Sequence, residues 1–211
     1  MPKILQNGIY ALAVCSILVI VCYFFFDKPV AIWISQKQLP NYVFLDWFGK
    51  IPEFFYGLPF FIYIIFVIFF AYRKQNHLLN VLLVMANSIV ITAFFKTLLK
   101  IAFGRYWPLT WRNNNLSLIK DNVYGFHFLH GGLANSAFPS GHTAIIVAAM
   151  TVLWMLYPRW CWLYGLLILL TITGLIGMNY HFVGDVVAGG FLGALVGYYV
   201  VTISGLKANS N

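Results

Sequence analysis

Four residues, Pro139-Ser140-Gly141-His142, stand directly ahead of a long apolar run. Ser140 is a good helix N-cap, so the amides of Gly141, His142 and Thr143 would open a helix without intrahelical partners. Free amides at the positive end of a helix dipole make an anion site. Gly141 would let a phosphate approach the backbone closely, and His142 places a titratable group beside it. An ordinary helix start carrying an interfacial histidine reads the same way on these four residues alone.

A second constellation is His181-Phe182-Val183-Gly184-Asp185, between two apolar runs. A spacing of four puts His181 and Asp185 on one helix face. A carboxylate there can hold one imidazole tautomer and leave the other nitrogen free to attack. Asp185 opens an apolar span, where a charge costs on the order of 3 kcal/mol by insertion scales, so it is a functional candidate. A stabilising His–Asp pair between helices is the plainer alternative. Third come Lys96 and Lys100, also four apart, followed by Gly104-Arg105-Tyr106-Trp107-Pro108. Lys100 and Arg105 fit a clamp on phosphoryl oxygens; for Lys96, snorkelling to the interface is the favoured explanation.

Weaker features are His127 and His130, which lack an acidic or cysteine partner to complete a metal site, and Asn115-Leu116-Ser117, a glycosylation acceptor pattern. His77 reads as a solvated turn residue. Cys15, Cys22 and Cys161 lie in or beside apolar runs and read as small apolar side chains.

The elements that must position these groups are membrane helices. Of 211 residues, 62% are hydrophobic and 9% charged, and the mean hydropathy is +0.83. Soluble domains are about one quarter charged. Apolar runs of about 20 residues suffice to cross the hydrocarbon core. Spans are expected at 8–26, 56–72, 78–99, 141–157, 160–179 and 184–206, giving an all-α, six-helix membrane bundle formed by one domain over 1–211. The first run is longer than a signal-peptide core and reads as retained. Residues 27–55 mix charges with aromatic side chains, as in a segment lying in the membrane interface. Residues 105–140 are the most polar stretch and fall on the same side. The net charge of +8 points to anionic lipid or a lipid phosphate and away from nucleic acid, for which no soluble basic face is visible.

Lys and Arg number five on the side of the termini and six on the other, so charge bias does not set the orientation. The five lie in short segments free of acidic residues, which favours cytoplasmic termini.

Taken in order, these motifs resemble the type 2 phosphatidic acid phosphatase family, whose pattern is KxxxxxxRP, PSGH and SRxxxxxHxxxD. Lys100, Pro139-Ser140-Gly141-His142, His181 and Asp185 match it. Trp107-Pro108 stands where the family has Arg-Pro, and Gly174-Leu175 where it has Ser-Arg. Arg105 is the expected substitute for the first arginine, and Arg112 or Lys96 for the second. The resemblance, over about residues 96–190, implies a metal-independent phosphatase needing no cofactor. His181 would attack phosphorus to form a phosphohistidine, with Asp185 orienting it. His142 would protonate the departing oxygen and later activate water. Lys100, Arg105, Ser140 and the Gly141 amide would hold the phosphoryl oxygens, and the pH profile would be bell-shaped.

The expected substrate is a lipid phosphomonoester or pyrophosphate, met at the extracytoplasmic face of a bacterial inner membrane. Transfer of the phosphoryl group to another acceptor is a second enzymatic reading. A non-catalytic lipid-phosphate binder or transporter is a third, favoured by the displaced arginines and opposed by the intact His142, His181 and Asp185.

Overall fold

A computed structural model describes residues 3–71, 76–111 and 114–208. Helix α1 (Lys3–Val21) runs through a π turn at Cys22–Phe26 into α2 (Asp27–Gln36). Residues 27–36 therefore continue the first helix instead of forming an interfacial loop. The short α3 (Val43–Lys50) and the long α4 (Glu53–Ala71) follow. Helix α5 (His77–Phe103) is started by Asn76, whose side chain accepts a hydrogen bond from the Leu79 amide at 2.8 Å. Its end is set by Gly104 at φ +45°, where a Cβ would also overlap the His127 carbonyl. The polar loop that follows contains a four-residue turn of helix, α6 (Leu118–Asp121), and a 3-10 turn at Leu133–Asn135. The chain then completes α7 (Gly141–Leu156), α8 (Cys161–Gly177) and α9 (Val183–Ser204).

Among the described residues, five segments are long and apolar enough to cross a membrane: Leu5–Gln36, Val43–Phe70, His77–Phe103, Pro158–Gly177 and Val183–Ser204. The expected span at 141–157 is α7, only 16 residues long. It is also the most enclosed helix: Thr143 through Met150 are all buried, and α9, α5 and α8 pack around it. By contrast Phe24, Phe25, Phe60, Phe61 and Phe94 are exposed on the outer helices. Apolar side chains facing outward on long helices are what a bilayer solvates and water does not.

The contact of α9 with α7 is built from glycine. Gly189, Gly193 and Gly197 recur every four residues along one face of α9. A Cβ at Gly189 would overlap the Ser140 carbonyl, and one at Gly193 the Ala144 carbonyl. Small residues at this spacing let two backbones touch, which is how helices gain packing energy where lipid removes the hydrophobic incentive. The contact matters for the site because it fixes the start of α7 against the start of α9. Gly174 in α8 does the same for α3, whose Leu45 and Gly49 backbone atoms leave no room for a side chain.

Replacing Gly193 by Val should wedge α7 from α9 and destabilise the protein by about 1–3 kcal/mol, as overpacking does. Thermal unfolding in detergent measures it. The same change at Gly57, which has nothing within 4 Å of its Cβ position, should cost far less.

Candidate active site

At the end of the bundle away from both termini, a cleft of about 740 Å³ opens between α3, α4, α5, the 104–140 loop and the starts of α7 and α9. Its wall includes Lys96 and Lys100 from α5, Gly141 and His142 from α7, and His181 from the turn between α8 and α9. Residues 96, 141 and 181 are thus brought together from two helices and a turn, and Gly141 and His142 bring the first turn of α7 to the cleft wall.

Lys96 does not snorkel away from this place. Its Nζ lies 3.2 Å from where a Gly141 Cβ would stand, and it accompanies the Tyr56 hydroxyl at 3.2 Å. Any side chain at 141 would displace that ammonium, which is a second reason for glycine here. Lys100 donates to the Ser136 carbonyl and sits 5.5 Å over the Trp107 ring. His142 meets Tyr56 edge-on at 5.8 Å.

His181 is 4% exposed and lies against Trp107, with ring centroids 5.3 Å apart. Its Nδ1 is turned to Asp185 Oδ2 at 3.6 Å. That separation is beyond a hydrogen bond. Asp185 is held from two other directions. Oδ2 accepts from the Phe182 amide at 2.9 Å, and Oδ1 receives Arg105 Nη1 at 2.5 Å. Burial pushes the His181 imidazole below its ordinary value, with Asp185 pulling the other way.

Two expected phosphate ligands are placed elsewhere. Arg105 is fully buried outside the cleft wall, its guanidinium shared between Asp185 and Asp27, the latter at 2.6 Å. A guanidinium at 0% exposure needs carboxylates around it, and burial, which acts to lower its pKa, is outweighed by those two, leaving it raised. Ser140 is also fully buried. Its Oγ accepts from the Thr143 amide at 3.4 Å and pairs with the Thr143 hydroxyl at 3.0 Å, so it caps α7 rather than facing the cleft. Arg112 lies outside the described residues.

The displaced arginine positions hold apolar side chains packed into the site. Trp107 is buried against His181, and Leu175 is 1% exposed beside α3. The cations lining the cleft are lysines, among them Lys50 at the end of α3. Lys50 bonds Asp46 at 2.6 Å, and Asp46 also accepts from the Tyr180 hydroxyl at 2.8 Å. Burial, then that Asp46 bond, push Tyr180 up to about 12, so it remains a neutral donor.

Lys50, Tyr56, Trp107 and Asp27 are contributions the motifs did not announce. Asp27 had one available signal, a carboxylate at the end of a long apolar helix. Asn115 is buried and gives its amide to the Leu109 and Leu116 carbonyls, so it holds the loop and is not open to a glycan. Among the described residues no cluster of three or more His, Cys, Asp or Glu is placed for a metal, His127 and His130 included.

Two outcomes follow from this geometry. Arg105→Ala would leave Asp27 and Asp185 buried without their shared cation, a loss of roughly 3–5 kcal/mol that thermal or denaturant unfolding in detergent should register. His181 stays neutral in the fold, whereas the unfolded chain takes up a proton near 6.5. Its contribution to stability is therefore complete above that pH and is lost on acidification towards the lower folded value. The thermal midpoint should fall over that acidic window, and less steeply in His181→Gln.

Neither curated proteins nor solved structures give a match to this chain. A sequence model of the PAP2 superfamily matches residues 77–208, a stretch that runs from the start of α5 to the end of α9 and carries the lysine pair, the capped histidine and the His–Asp pair. With well over half of its length matched and those residues gathered in one cleft, the chain belongs to the PAP2 superfamily.

Proposed function

We propose that this membrane protein is a phosphatase that removes phosphate from a lipid phosphomonoester or pyrophosphate through a phosphohistidine on His181. The observation that carries the reading is the convergence of Lys96, Lys100, the open first turn of α7, His142 and His181 on one cleft, with Asp185 buried behind His181. A binder of anions would need the lysines and the helix end. It has no use for an imidazole backed by a buried carboxylate.

In the proposed chemistry, Lys96, Lys100 and the Gly141 amide hold the phosphoryl oxygens and offset the charge that builds on them. Asp185 faces Nδ1, which leaves Nε2 as the attacking atom. Its lone pair forms the N–P bond while the P–O bond to the lipid breaks, and His142 gives a proton to the departing oxygen. His142 then takes a proton from water as the phosphohistidine is hydrolysed. A bound phosphate dianion favours the protonated form of His142 that the first step requires. Transfer to another acceptor would use the same intermediate and differ only in what enters second.

Thr97 and the half-exposed Ile101, on the outer surface of α5, belong to the cleft wall. A headgroup can enter beside them while its chains stay in the bilayer, which supports a lipid substrate. Counting α7 as a sixth pass puts both termini on one side. The basic, acid-free segments at that side support cytoplasmic termini, and hence a cleft at the extracytoplasmic face of a cell membrane, on our reading a bacterial inner membrane.

Purified protein assayed with phosphatidate, phosphatidylglycerophosphate and a polyprenyl pyrophosphate should release phosphate from at least one of them. His181→Ala should lower turnover by about 10³-fold or more and abolish acid-labile labelling of the chain by substrate phosphate. Full phosphate release from His181→Ala overturns the assignment. The pH profile should be bell-shaped, with its acid limb below the ordinary imidazole range because the nucleophile must be neutral and burial keeps it so.

A further inference from the structure

Asp27 is 1% exposed, and its carboxylate reaches Arg105, Tyr124 and the Gly184 amide, none of which lines the cleft. Oδ2 receives Arg105 Nη2 at 2.6 Å and the Tyr124 hydroxyl at 3.4 Å. Oδ1 receives the Gly184 amide at 2.8 Å, one residue before Asp185. Arg105 passes the connection on through Nη1 to Asp185 Oδ1. The π turn ends at Asp27, whose amide bonds the Cys22 carbonyl. An uninterrupted α-helix would turn residue 27 away by on the order of 100°, one residue's rotation at 3.6 per turn. Helices take π turns rarely, and frequently at functional sites.

The charges make the arrangement more than a brace. Two carboxylates share one guanidinium, so the buried group carries a net charge of −1. Without Asp27, Arg105 and Asp185 would form a neutral pair. When His181 Nε2 bonds phosphorus, its ring gains positive charge, and a neutral pair behind it would answer that charge weakly.

We propose that Asp27 is a positioning residue for phosphoryl transfer: by engaging Arg105 it leaves the negative charge of Asp185 available to His181. The proposal rests on the phosphohistidine reading above. Charged or titratable groups around the buried group and His181 are Lys100 from α5, His142 from α7, Tyr124 from the loop, and Cys22 and Tyr23 from the π turn. None of the five supplies a second carboxylate.

The test uses the full chain in detergent micelles with whichever lipid phosphate of the panel above it hydrolyses fastest. Asp27→Asn should lower kcat about tenfold or more with KM changed less than about twofold. Its acid limb should move down by about half a pH unit, because a less negative surrounding makes His181 harder to protonate. Asp27→Asn combined with Arg105→Gln restores the net charge of −1, and the limb should return towards its wild-type position. A purely structural role gives losses that accumulate in the double variant without that return. A folded Asp27→Asn protein with unchanged kcat and limb overturns the proposal. So does failure of both variants to give monodisperse protein, since the group is then a scaffold. Wild-type turnover in His181→Ala would instead sink the phosphatase reading beneath it.

Discussion

A guanidinium sealed from water between two carboxylates organises this protein. Arg105 is the first polar residue after α5 ends, and its side chain joins the helix that contains Asp27 to the start of α9 through Asp185. Removing three charges from water is unfavourable by several kcal/mol per ion, and only near-ideal geometry with every charge paired offsets it. That requirement is stringent enough to fix where three segments of chain meet. The polar loop is tied to the same centre, because the Arg105 amide donates to the Asn135 carbonyl and its carbonyl accepts from Ala137. The loop approaches PSGH already anchored.

Everything catalytic in the proposed mechanism is then a matter of helix ends. Inside hydrocarbon, backbone groups must be satisfied within the helix, so spare amides and titratable side chains occur where helices begin. Helix α7 begins at a serine cap beside His142, α9 begins with Asp185 in its first turn, and α5 ends one turn past two lysines. The glycine contact of α9 with α7 keeps the two beginnings in register. Packing energy in the bundle interior thereby sets geometry at its end.

Local relations were legible in the sequence and long-range ones were not. The open helix start at 140–143 follows from capping chemistry, and the His181–Asp185 relation from a spacing of four. The burial of Arg105 depends on a partner 78 residues earlier in the chain, beyond any local pattern, and an arginine beside a polar loop is otherwise a natural phosphate ligand. Ser140 shows a conflict between two roles drawn from one motif: a hydroxyl aimed at its own helix's amide is not also aimed into the cleft. Snorkelling describes a lysine on a helix alone in lipid, whereas Lys96 is met by Tyr56 of α4 at the cleft. The interfacial reading of 27–36 failed because charges near the end of an apolar run usually mark its exit, and a buried arginine reverses that rule for Asp27.

The brevity of α7 has a consequence for how the protein meets its membrane. At 1.5 Å per residue, its 16 residues reach about 24 Å, short of a hydrocarbon layer of about 30 Å. Its neighbours exclude lipid from it, so hydrophobic mismatch acts on the outer helices and scarcely on this one. The depth of His142 and His181 is therefore set by how α7 packs on α9 and α5 and not by the lipid surface. Membranes of different thickness can tilt the outer helices while His181 keeps its distance from the start of α7.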